Sequence, residues 1–259
     1  MRSLTSAIAL GVALMAAPAL AQQTHVLDPM EDAAVWTADA STDVSSTVSS
    51  VAGHDGRAVR LTYDFNGKAG YAFAARALPF DLPDNYEISF WMRGAGPTNT
   101  FEVKFTDASA ENVWWKQTAR YDFPDGWTRF VIKRRQVSKA WGPSPETELR
   151  RAERVEFVVV AAEGGRGFID IDQLSIRELP LDPAVPPQPV ASDGRSPSTA
   201  ARAVDLDART AWAPPIDGSP VLTLDLGYER EFGGLTLRWG EWGAAADYRV
   251  STSLDGRDW

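Results

Sequence analysis

The sequence has no cysteine and only two histidines, His25 and His54, in 259 residues. Without cysteine there is no disulfide, no thiolate nucleophile and no lipid-anchored cysteine, so packed cores, with or without metals, must hold the chain together. Two histidines leave almost no inventory for a Ser-His-Asp or Cys-His catalytic centre. Cations are also in short supply: 26 Lys+Arg face 35 Asp+Glu, a net charge of −9. Phosphate backbones and anionic membranes are bound by clustered Lys and Arg, so nucleic acid and acidic lipid are disfavoured as partners. No zinc-ligand spacing occurs, and Gly94-Ala95-Gly96-Pro97 lacks the strand-to-helix setting of a phosphate loop. A carboxylate pair for glycoside hydrolysis is compatible with 35 acidic residues, but no pattern places one in a cleft.

What is present begins with an export signal. Residues 1–21 carry one charge, Arg2, then an apolar run from Leu4 to Ala17 and the small-residue site Ala19-Leu20-Ala21. That pattern predicts a signal peptide cut after Ala21, too short to span a membrane, and a secreted or periplasmic mature chain without a membrane anchor. From residue 25 to 179, short stretches of period 2 alternate with turn signals: Ala58 to Phe65, Tyr86 to Arg93, Phe101 to Thr106, Thr128 to Lys133, Val155 to Ala161 and Phe168 to Ile176. Glu146 to Glu153 alone looks helical. Some eight strands without helical crossovers predict an all-β jelly-roll sandwich. Residues 180–189 hold five prolines, which cannot pair in a sheet and read as an extended linker to a second domain over 190–259.

In the first domain, Ile88, Phe90 and Met92 alternate with Trp91 and Arg93, and Phe101, Val103 and Phe105 alternate with Glu102 and Lys104. Each strand thus offers one face to the core and one outward. Sugars present hydroxyl rims and C–H faces, so their sites pair a flat aromatic with charged or amide side chains. Asn112-Val113-Trp114-Trp115-Lys116 and Lys139-Ala140-Trp141-Gly142-Pro143 supply such pairings. Adjacent strand residues point to opposite faces, so one of Trp114 and Trp115 packs inside. Trp91 and Trp127 read as core, whereas Trp141 sits in a loop sequence and suits a partner. The expected polysaccharide site is Arg93 and Lys104 on the outward face, flanked by Trp115 and Trp141, against the alternative of a merely solvated face.

Two resemblances sharpen this. A-V-D-L-D-A-R-T-A-W (203–212), L-T-L-D-L-G (222–227) and Y-R-V-S-T-S-L-D-G-R-D-W (248–259) occur in the order found in discoidin-like, or coagulation factor 5/8 type C, domains, which the segment resembles. That family continues for several strands past the last motif, which implies that 190–259 is an incomplete domain of a longer protein. The first domain, with M-E-D-A-A-V-W, L-P-D-N-Y-E-I-S-F-W-M-R-G-A-G-P and G-G-R-G-F-I-D-I-D-Q-L among its segments, is similar to galactose-binding-like jelly rolls that precede discoidin-like domains in secreted bacterial proteins.

The resemblances imply structural calcium at two places. In the jelly roll they point to Glu31 and Asp172 with carbonyls of the Gly53 to Gly56 turn, and calcium does seek several hard oxygens; two surface carboxylates and a turn-capping Asp55 are the competing reading. In the second domain they point to Asp205, Asp207 and Thr210, beside Trp212. Trp239-Gly240-Glu241-Trp242 is either an aromatic ligand edge or core. The functional expectation is a non-catalytic, polysaccharide-binding region of a larger glycan-processing protein, with a glycoside hydrolase domain past residue 259. An extracellular adhesion module binding protein or lipid is the alternative.

Overall fold

A computed structural model describes residues 24–259 except positions 186, 196, 215–219, 231, 233 and 242. The expected signal peptide at 1–21 and Trp242 lie outside the described residues. The chain divides into two units, 1–181 and 182–259, with the boundary inside the proline-rich segment.

The first unit contains β1 (Thr24–Asp28), β2 (Thr37–Ala40), β3 (Ser45–Ala52), β4 (Arg57–Asp64), β5 (Tyr71–Asp81), β6 (Tyr86–Ala95), β7 (Asn99–Thr106), β8 (Val113–Tyr121), β9 (Thr128–Lys133), β10 (Ser138–Trp141), β11 (Arg151–Val160) and β12 (Arg166–Glu178). They form two antiparallel sheets. The first runs β3-β4-β12-β6-β9, with β1 also on β12, and the second runs β10-β8-β7-β11-β5-β2. Alternation decides what lies between them. Leu61, Ile88, Phe90, Ile169 and Ile171 from the first sheet meet Phe101, Val103, Phe105, Val155 and Phe157 from the second in one buried cluster. Phe90 ties the layers, with its ring centroid 5.0 Å from that of Phe157 and 6.3 Å from that of Phe101. The result is the expected all-β jelly-roll sandwich, with no cysteine in it.

One interruption positions a site. β4 pairs with β12 from Arg166 to Ile171, and β1 takes over the same edge from Leu174 to Arg177. Between them the ladder shifts register at Asp172 to Ser175, and Gln173 adopts a positive φ of 51°. Such a bulge leaves backbone groups without strand partners, and here it opens a notch into which the β3–β4 turn folds.

One element differs from the sequence-based expectation. Glu146 to Arg150 forms no helix, and Arg151 to Glu153 begins β11. Local propensity favours a helix there, but Ala152, Val155, Phe157 and Val159 fill the core at strand spacing, and tertiary packing overrides the local preference. In the second unit the strands among the described residues are β13 (Val190–Ser192) and β14 (Thr223–Asp225), which pair with each other. Leu235 to Trp239 and Tyr248 to Ser253 alternate as strands do but form none. Alternation makes a strand only where a layer covers its apolar face, and Leu235, Leu237, Tyr248 and Val250 are all exposed.

Candidate functional site

Register places the outward side chains of the second sheet in rows. Trp115 on β8 lies opposite Lys104 on β7, which lies opposite Glu156 on β11. In the next row Gln117 faces Glu102, Glu102 faces Val158, and Val158 faces Phe73 on β5. Beyond β8, Trp141 closes the margin on β10.

The margin at β8 and β10 is aromatic. Trp115 and Trp141 meet edge to face, centroids 5.6 Å apart at 86°, so the indoles form a corner rather than a stack. Lys104 Nζ sits 5.8 Å from the Trp115 ring and 5.3 Å from the Trp141 ring, filling that corner with a cation. Trp141 is 49% exposed. Its position depends on Gly142, at φ 120°, where a Cβ would lie 2.5 Å from Asn112 Oδ1 and 2.6 Å from Asn112 Cα; Asn112 in turn accepts from Ser144 N at 2.8 Å. Trp114, the neighbour that points inward, is buried and donates Nε1 to Thr147 O at 2.9 Å.

The centre of the face is polar and charge-balanced. Glu102 is buried and accepts from Gln117 Nε2 at 2.7 Å, while Lys104 Nζ forms an ion pair with its other oxygen at 3.0 Å without hydrogen-bond geometry. On β11, Arg154 Nε donates to Glu156 at 2.8 Å, and its guanidinium lies 6.0 Å over Phe73. Phe73 stacks with Tyr71 at 6.1 Å, and Tyr71 is 43% exposed. Aromatics therefore bound both sides of a row of paired charges. Tyr71 and Phe73 were missed as site residues because β5 was not recognised as a strand, although their i, i+2 spacing marks it; Gln117 on β8 and Arg154 and Glu156 on β11 were missed because strand pairing, not alternation, brings them onto one face.

Arg93 does not join this face. It lies on β6, on the outer surface of the opposite sheet, where Nε donates to Asp170 at 2.9 Å and Nη2 to Ala52 O at 3.2 Å. Alternation correctly turned both Arg93 and Lys104 outward, but pairing put them on opposite sides of the sandwich. Trp91 and Trp127 differ from expectation in the same way. Neither is core: His54 stacks on Trp91 at 3.8 Å, and Arg93 lies 4.7 Å over Trp127.

Glu31, Asp172 and the Gly53 to Gly56 turn do come together, at the notch in β12. Asp172 is fully buried; Oδ2 accepts from Asp55 N at 2.9 Å, and Oδ1 has no donor. Burial and then the nearby charge of Glu31 raise its pKa, against backbone donors from Asp55, His54 and Gln173 that lower it. Both Glu31 oxygens lie 3.1 Å from Arg57 N. Gly56, at φ 58°, is required because a Cβ would fall 2.2 Å from Glu31 Oε1. Among the described residues no three acidic or histidine side chains converge on a metal position, so a cation here would depend on two carboxylates plus carbonyls. The donor set is all hard oxygen, and an unpartnered buried carboxylate oxygen fits a cation.

In the second unit, Thr210 Oγ1 donates to Asp205 Oδ2 at 2.6 Å, and both oxygens of Asp207 face the Arg209 guanidinium at 2.8 and 2.7 Å. Trp212 Nε1 donates to Asp193 at 3.1 Å. Trp239 is 47% exposed and meets Tyr248 at 5.7 Å.

Residues 189–259 match the F5/8 type C domain family. No curated protein matches the chain. Among solved structures, the family 11 carbohydrate-binding module of a cellulosomal cellulase of Clostridium thermocellum is 16% identical, with 61% of this chain and 96% of that one covered at a TM-score of 0.51. A family 11 module from the same organism, in complex with a β-1,3-1,4-mixed-linked tetrasaccharide, is 17% identical over 59% of this chain and 94% of that one, at 0.49. At such identities the likeness speaks to the fold. The chain is thus a jelly-roll sandwich of the kind found in carbohydrate-binding modules, followed by a segment that matches the F5/8 type C domain.

Proposed function

We propose that the first unit is a non-catalytic carbohydrate-binding module that takes a polysaccharide chain across the outer face of its second sheet. The observation that carries this is the layout of that face: the Trp115–Trp141 corner on one side, Tyr71 and Phe73 on the other, and paired polar side chains between. β10 and β5 are four strand spacings apart, about 19 Å, a width suited to several sugar units rather than one. The central row carries Lys104 and Arg154 against Glu102 and Glu156, so its own charge sums to zero and favours an uncharged glycan. Stacking on the indoles, hydrogen bonds from Gln117 and Lys104, and hydrogen bonds from sugar hydroxyls to Glu156 then do the binding.

Calcium is the structural metal in this reading, held by Glu31, Asp172 and carbonyls of the Gly53 to Gly56 turn. Its chemistry there is charge neutralisation. The notch residues do the rest: Gly53 and Gly56 let the turn approach, and its backbone donors orient Asp172. Asp205, Asp207 and Thr210 form the second position, reached by turning the exposed Arg209 away from Asp207. The module serves a larger secreted glycan-processing protein with a glycoside hydrolase domain outside this sequence. The alternative reading, an extracellular adhesion module that binds protein or lipid, draws its support from the F5/8 type C match of the second unit.

Affinity electrophoresis in gels containing mixed-linkage β-glucan, galactan, xylan or agarose tests the lead reading. The full chain should be retarded by at least one neutral polysaccharide, and Trp115→Ala should migrate freely in the same gel. Free migration of the parent in a wide panel of neutral glycans would end this reading.

A further inference from the structure

The opposite side of the sandwich carries a charged and aromatic stripe that neutral-glycan binding leaves unused. Five cations stand on the outer face of the first sheet: Arg60 on β4, Arg93 on β6, Arg129 and Lys133 on β9, and Arg177 on β12. Two buried carboxylates organise them. Asp170 holds Arg60 at 2.6 Å and Arg93 at 2.9 Å; Glu87 holds Arg129 at 2.7 Å, Lys133 at 2.6 Å and Arg177 at 3.2 Å. In a chain of net charge −9 this concentration of cations is out of proportion to the whole.

The excess is greatest around Glu87, where three cations share one carboxylate. At the other end, Glu31, Asp55 and Asp172 border the stripe at the β3–β4 turn and offset the charge there. Arg129 is the most exposed of the five, its side chain 45% accessible, and it lies opposite Trp91 in register. Arg177 Nε is buried without a hydrogen-bond partner. The His54–Trp91 stack, with Trp127 edge-on at 6.3 Å, supplies a flat surface beside these donors. From Glu87 to Arg93 the stripe extends about 20 Å along β6.

Guanidinium groups pinned by a buried carboxylate have already lost much of their rotamer freedom, so an incoming anion orders little more. Planar forks match carboxylate and sulfate, and an aromatic plane beside them suits a sugar ring. Double-stranded nucleic acid, with one charge per about 1.7 Å of axis, is denser than the single carboxylate per sugar of a polyuronate and would be repelled more strongly by so acidic a chain.

We propose that the outer face of the first sheet is a second, independent site for an acidic polysaccharide, whose carboxylate or sulfate groups are held by Arg129 and Arg177 beside the His54–Trp91 stack. The full chain is titrated with polygalacturonate, dextran sulfate and uncharged dextran at low and high salt. At least one polyanion should bind, more tightly than dextran and less tightly as salt rises; which one binds separates carboxylate from sulfate. Arg129→Gln should lower that affinity at least about tenfold, about 1.4 kcal/mol. Lys133 and Arg177 still neutralise Glu87 in this variant, so its melting temperature should stay close to the parent's; Arg177→Gln is the second arm should Arg129→Gln prove unstable. Trp141→Ala, on the other sheet, should bind the polyanion as the parent does. Absence of polyanion binding at low salt, parental affinity in a folded arginine variant, or loss of polyanion binding in Trp141→Ala would each overturn the proposal.

Discussion

Trp141→Ala should separate binding from folding on the outer face of the second sheet. The indole is about half exposed and makes two ring contacts, with Trp115 at 5.6 Å and Lys104 at 5.3 Å. An edge-to-face aromatic pair contributes about 0.5–1.5 kcal/mol, and an exposed cation–π contact about 0.5–1 kcal/mol. The folded state therefore loses at most a couple of kcal/mol. A stacked sugar ring lost from the same indole should cost about 1–3 kcal/mol of binding, by analogy with base stacking on aromatics, or roughly 5- to 150-fold in affinity. Trp114→Ala, on the next strand over, should do the reverse. That indole fills the core and donates to Thr147 O, so its removal should cost about 3–5 kcal/mol of stability. Calorimetric titration with a glycan that retards the parent, alongside thermal melts of both variants, measures each quantity. A folded Trp141→Ala protein with parental affinity for every such glycan would refute the reasoning.

Other outcomes follow from the charged groups and the second unit. Burial alone would raise Glu87, but hydrogen bonds from Lys133 and Arg129 and the charges of Lys133 and Arg177 hold it at about 2 against an ordinary 4.5. A depressed folded pKa stabilises above the unfolded value, so this contribution should fade as pH falls from 4.5 toward 2; discounted for the solvent-facing cations, it is about 1–2 kcal/mol, and Glu87→Gln should flatten that acid limb in pH-dependent melts. Asp172 has the opposite sign: its raised pKa favours the protonated carboxyl, so stability without a cation should fall as pH rises through its folded pKa. Calcium should reverse that loss at neutral pH, by about 2.7 kcal/mol at 100 times Kd, and Asp172→Asn should melt at the same temperature with calcium or chelator. Hydrogen exchange should find slow amides in β6, β7, β11 and β12 and fast ones over residues 235–259, where Leu235, Leu237 and Tyr248 are exposed; uniform protection of 235–259 would contradict this.

Alternation made the inside and outside of several strands legible, because a period of 2 fixes side-chain parity without any knowledge of pairing. Thr128 to Lys133 coincides with β9, and the expectation that one of Trp114 and Trp115 packs inside matches the buried Trp114. Parity does not say to which sheet a strand belongs. That depends on pairing between residues distant in sequence, which is why Arg93 and Lys104, both turned outward, end on opposite faces. β3 was hidden by its serines and β5 by its alanines, which carry little β signal; both are held by partners, β3 by β4 and β5 by β2 and β11. The second unit shows the converse, since the patterns at 235–239 and 248–253 are strand-like but find no cover.

The central claim is that the second sheet's outer face holds a neutral polysaccharide. Amide and indole chemical-shift mapping of the full chain, titrated with an oligosaccharide of a retarding glycan, tests it most directly. The account predicts shifts confined to Trp115 and Trp141 indoles and to amides around Lys104, Gln117, Glu156 and Phe73, with Trp91 and Trp127 unmoved. Shifts centred on Trp91 and Trp127, or on the second unit with Trp115 and Trp141 silent, would contradict it.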